Sequence, residues 1–159
     1  MPASSDAEVL TGRTLVAPDF FKRLSSRVAS ANGIGQQMAE AVTDQALAFL
    51  ATSATKPAGT GVLSPSPTVD MGFHCFLEYT REYDDFFSSR GWPKVHHVPW
   101  DDPGKTYESS GVVIPRTTKA ITAAGYSILP ELWDTEHVSC GGDDSDGKPG
   151  DPPPCGDHG

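Results

Sequence analysis

GQQMAEAVTDQALAFLAT, residues 35–52, is the stretch whose reading decides the fold. Met38, Ala41, Val42, Ala46, Phe49 and Leu50 recur at steps of three and four, which lays apolar side chains along one face of a helix running from Gly35 to about Thr52. Such a helix is stable only when other elements cover that face.

Working outward, partners are legible on both sides. Upstream, Pro18 suits a first helical turn, Asp19 suits the positive end of the helix dipole, and Phe20, Phe21, Leu24 and Val28 form a stripe ending near Ala31. Asn32-Gly33 is a left-handed stop. Downstream lies a Pro- and Gly-rich linker over 53–67. Ser66 then stands as N-cap with Pro67 at the first helical position, and the apolar face Val69, Phe73, Phe76 and Leu77 carries a third helix to about Tyr79. Thr80 is placed to cap a fourth helix, Arg81 to about Ser89, with Tyr83, Phe86 and Phe87 inward; Gly91 and Pro93 end it. Lys94 to Pro99 reads as extended and Asp101 to Gly111 as a loop. A last helix is expected from about Pro115 to Ala124, closed by Gly125, after which Tyr126 to Trp133 packs back as a hydrophobic clasp. Residues 1–14 show no periodicity and are expected to be flexible. The expected fold is mostly α: a bundle of four to five helices over residues 15–133, with one or two short extended segments.

Composition bounds the function. The chain has 159 residues, 12 basic against 21 acidic, for a net charge of -9. That balance argues against nucleic acid, because neutralising phosphates takes a basic face. No apolar run reaches the ~18 residues of a membrane span, and no basic start followed by an apolar stretch suggests a secretory signal. Residues 134–159 hold seven acidic residues and one basic, so they carry -6 of the total. Rich in Gly, Pro and Asp, this segment is expected to be a disordered acidic tail, for it has too little apolar surface to offset ordering entropy. Three cysteines, an odd number, fit a reducing cytoplasm better than a disulfide framework. In the tail, Cys140 and Cys155, each with a histidine three residues outside it (His137 and His158), form a weak candidate for a soft metal, since their spacing matches no established zinc pattern.

The stronger constellation lies on the third helix. Asp70, His74 and Glu78 stand at i, i+4 and i+8, so they line one face and set an imidazole between two carboxylates able to orient it. Cys75 points about 100° away. His96 and His97 follow in an extended segment where neighbours face opposite ways, so one of them can turn towards the third helix. Histidines with a carboxylate suit a divalent transition metal (zinc, copper or iron) and leave coordination positions open. The competing reading is a core histidine held by Asp70 for structural reasons alone. Arg81 is a candidate anchor for Asp70 or an anion, and Tyr83 a supporting residue.

SPTVDMGFHCFLEYTREYDDFF (66–87) followed by VHHVP (95–99) resembles the glycine-rich domain-containing protein family, with its Val-Asp-x-x-Trp-His-x-His core, Thr-Arg-x-Tyr-x-x-x-Cys run and His-His-x-Pro. Asp70, His74, Thr80, Arg81, Tyr83, His96, His97 and Pro99 fall on positions of that pattern. Phe73 replaces its Trp, Phe76 its second His and Phe87 its Cys. The resemblance spans about residues 18–133 and implies the helical fold and the histidine site rather than a particular activity.

No nucleophile elbow, phosphate loop, dinucleotide fingerprint or His-Glu-x-x-His occurs. Three function classes follow. One is a small cytoplasmic module binding a metal, a protein or a small molecule through the histidine cluster. The second is an accessory or tailoring enzyme of a small-molecule or peptide pathway, using the same histidines for metal or acid/base chemistry, with Cys75 as a conceivable nucleophile. The third makes the acidic tail an interaction arm for a basic partner or cations.

Overall fold

A computed structural model describes residues 8–98 and 108–134. Within them the chain forms α1 (Pro18–Asn32), α2 (Gln36–Thr55), α3 (Pro67–Glu78), α4 (Thr80–Ser88), α5 (Ser110–Ala123) and a terminal turn α6 (Pro130–Trp133), preceded by a 3-10 turn over Gly12–Leu15. The described residues contain no sheet; an isolated parallel bridge joins Leu10 to Tyr126. None of their helices is long and apolar enough to cross a membrane. The expected acidic tail, with His137, Cys140, Cys155 and His158, lies outside the described residues except for Asp134, as does Pro99.

α2 is the axis of the bundle, covered by α1, α3, α5 and the 3-10 turn. Its burial exceeds the stripe read from the sequence: from Val42 to Thr52 every residue is buried, Thr43, Asp44 and Gln45 included, whereas Met38 is exposed. The charge-free run Ala46–Ala51 permits this, since a helix apolar all round belongs inside. The buried polar groups are matched. Gln45 donates to Asp44 Oδ2 (3.1 Å) and the Ser127 carbonyl (3.0 Å), and its Oε1 accepts from Leu129 N–H (3.0 Å) and Trp133 Nε1–H (2.8 Å). One amide thus fastens the 127–133 clasp to the core.

Asp44 accepts from Arg13 N–H at 2.8 Å and so holds the 3-10 turn. Gly12 there lies so close that a Cβ would stand 1.9 Å from the Asp44 carbonyl oxygen. Of the start expected to be flexible for want of periodicity, residues 12–14 form part of this turn, set against α2 through Gly12 and Arg13.

α1 ends as expected: Gly33 has φ 64°, and the Gly33 and Ile34 N–H groups both return to the Ala29 carbonyl. The Ser66 hydroxyl accepts from Val69 N–H (3.2 Å) and donates to the Leu132 carbonyl (2.6 Å), so one residue starts α3 and ties it to the clasp. Gly72 lets α3 press onto α2, where a Cβ would lie 2.8 Å from that of Ala46.

Two local expectations are corrected. Thr80 is the first residue of α4 and not its cap; Tyr79 holds that position without a side-chain hydrogen bond. α5 begins at Ser110, five residues before the expected start at Pro115, which sits inside it. The hydrogen bond that proline removes would end on the carbonyl of Gly111, in an exposed first turn that water can solvate.

Candidate metal centre

His74 and Asp70 lie one turn apart on α3, as their spacing requires, with Nε2 and Oδ2 3.0 Å apart and both side chains one-fifth exposed. The carboxylate is in contact with the ring nitrogen without meeting it in hydrogen-bond geometry. Nε2 therefore has no aligned hydrogen-bond partner although it is shielded from solvent. Asp70 raises the His74 pKa above the ordinary histidine value, mainly by its contact with the ring, against burial, which lowers it.

His97 arrives from the irregular segment after α4. Its ring stands edge-on to that of His74, with centroids 4.5 Å apart and an interplanar angle of 86°, and packs on Phe73 at 5.5 Å. The approach is enforced two residues earlier: the buried Tyr83 hydroxyl donates to the Val95 carbonyl. Tyr83 is itself wedged against Phe73, Phe76 and Phe87, and burial pushes its pKa well up, so it stays a neutral donor. The ordered aromatic core thus positions a residue on an exposed segment.

One ligand atom each from Asp70, His74 and His97 lies within 4.8 Å of the others. Tetrahedral zinc at about 2.0–2.1 Å from each ligand separates ligand atoms by roughly 3.3 Å, so closing the cluster on an ion takes movements on the order of 1.5 Å. A shielded ring nitrogen without an aligned partner, beside a carboxylate, is a donor set suited to a divalent cation.

The remaining candidates divide differently. His96 is exposed and outside this trio, although it borders the adjoining cavity together with His97. Glu78 does not flank His74; it pairs with Arg27 at 2.7 Å and links α3 to α1. Cys75 is buried on the α1 side, 4.0 Å from Asn32 Nδ2. Burial raises its thiol pKa, helped by Glu78. Cys75 is not part of the Asp70, His74 and His97 group. Arg81 is exposed and makes no ion pair among the described residues, so it does not anchor Asp70. Phe76, where the resembling family has its second histidine, is buried among Phe20, Tyr83 and Phe86. A side chain there packs in the aromatic core and is not part of the Asp70, His74 and His97 group.

Beside the cluster opens a cavity of about 540 Å³, which sequence reasoning gave no sign of. Asp70, Phe73 and His97 form part of its wall, with Phe49, Leu63 and Val95. Its two flanking segments are held in place. Arg116 and Thr117 of α5 bind the Val62 carbonyl (3.0 Å) and Ser64 N–H (3.1 Å), while Tyr83 and Asp84 of α4 hold Val95 and Lys94.

Fold and site together define a small helical domain with a two-histidine, one-carboxylate cluster at the edge of an apolar cavity. No protein-family model matches the chain, and neither the curated proteins nor the solved structures hold a match to it.

Proposed function

We propose that the chain is a small binding module in which Asp70, His74 and His97 hold a divalent transition metal, with zinc, copper and iron as the candidate ions. The observation that carries this reading is the convergence of three ligand atoms, from two elements, within 4.8 Å. Two imidazoles and a carboxylate leave positions free for water or a ligand. The resemblance to the glycine-rich domain-containing family belongs to the same proposal, since Asp70, His74 and His97 fall on its pattern.

The second reading is an accessory or tailoring enzyme of a small-molecule or peptide pathway. The cavity favours it, because Asp70 and His97 belong both to the cluster and to the cavity wall. Elemental analysis of tag-free protein tests the shared premise. Near-stoichiometric zinc, copper or iron is expected in wild type and is lost in a His74→Ala, His97→Ala double variant that still folds. A metal-free wild type destabilised by His74→Ala would make the histidines structural and reduce the module to partner binding.

A further inference from the structure

The charges around the cavity specify more than an apolar guest. Two lysines border it. Lys94 is paired with Asp84 and contributes little net charge. Lys56 donates to the Gly61 carbonyl at 2.6 Å, and no carboxylate pairs with it among the described residues. Asp70 is the opposing charge, and a divalent ion on the cluster more than offsets it. In a chain of net charge -9, Lys56 is the lysine of this wall that no carboxylate pairs with among the described residues, and a divalent ion on the cluster would make the hollow cationic. Its remaining wall is apolar, and two of the exposed large hydrophobic residues, Val62 (52%) and Val98 (43%), stand at its rim. A volume of 300–1,000 Å³ is the usual range for small-molecule sites, and an apolar wall with few polar groups is their usual make-up.

We propose that this cavity binds a small organic monocarboxylate with an apolar, ring-sized body, its carboxylate paired with Lys56 and its body against Phe49, Leu63 and Phe73. The inference rests on the metal reading in one respect: without a cation on the cluster, Asp70 cancels the charge of Lys56. A neutral guest would leave the lysine charge unused, and a dicarboxylate would bury a second charge against apolar wall.

Isothermal titration calorimetry on zinc-loaded protein tests this, with 4-phenylbutyrate as probe, 4-phenylbutan-1-ol as neutral control and zinc content measured on the same sample. The acid is expected to bind at least tenfold more tightly than the alcohol. Lys56→Met should bring the acid down to the level of the alcohol while zinc is retained. Val62→Glu, at an exposed rim position where folding is not at stake, should weaken the acid alone. Stoichiometric zinc with no binding of the acid, with equal binding of acid and alcohol, or with no response to either variant overturns the inference and leaves the metal reading standing. Protein that takes up no zinc overturns the metal reading, and this inference with it.

Discussion

Gln45→Leu removes the amide that fastens the clasp to α2, and its effect can be worked from the three contacts it makes with the clasp. Leucine is similar in size, so the change is chiefly the loss of hydrogen bonds. Trp133 Nε1–H loses a buried acceptor, and a buried donor left unsatisfied costs about 1–3 kcal/mol. Leu129 N–H and the Ser127 carbonyl are part-buried, so water relieves them and they add about 1 kcal/mol each. The added apolar burial returns about 1 kcal/mol. The net expectation is a loss of about 3 kcal/mol, which at a urea slope of roughly 1–3 kcal/mol/M lowers the midpoint by about 1–3 M. Trp133→Phe leaves Oε1 its Leu129 donor and should lose only about 1 kcal/mol beyond its packing. The two changes share a contact, so a double-mutant cycle followed by far-ultraviolet circular dichroism should show coupling of about 1–2 kcal/mol. A Gln45→Leu loss under about 1 kcal/mol at unchanged slope, or strict additivity, would refute this account of the clasp.

Three further outcomes are expected. Tyr83→Phe removes the hydrogen bond that steers 95–97; stability should fall by only about 1 kcal/mol, while zinc affinity drops on the order of 10–100-fold in a competition titration. In metal-free protein the raised His74 pKa contributes stability that is fully present below the ordinary histidine value of 6.5 and is lost as pH rises through the folded value. The thermal midpoint should therefore decline more steeply as pH rises above about 6.5 in wild type than in Asp70→Asn, where the partner of the imidazolium is gone. Cys75, buried and with a raised pKa, should resist iodoacetamide at neutral pH and react on unfolding, read from its peptide by mass spectrometry.

What was legible in the sequence was whatever local chemistry controls. Ser66-Pro67 starts a helix and Asn32-Gly33 stops one through contacts within a few residues, so α1 to α3 lie close to their expected bounds. Asp70 and His74 share a face because helical geometry leaves no alternative, and the facing rule for His96 and His97 left one histidine to reach them. What escaped depends on distant partners. Pro115 has the chemistry of a helix start, yet the turn before it is helical. The 3-10 turn is ordered by Asp44, thirty-one positions away from Arg13, which no local pattern announces. Glu78 lies on the correct face of α3 but near its C-terminal end, where Arg27 captures it. The cavity arises from two non-periodic segments, 61–65 and 93–98, each held by side chains of another helix.

The central claim is that Asp70, His74 and His97 form one metal centre from which His96 is absent. The most direct measurement is a long-range nitrogen–proton correlation spectrum of the histidine rings before and after stoichiometric zinc. The account predicts that one ring nitrogen each of His74 and His97 shifts strongly, that His96 stays where it was, and that Asp70→Asn weakens the response. Shifts of His96 together with His97 while His74 remains unchanged, or no shift in any of the three rings, would contradict it.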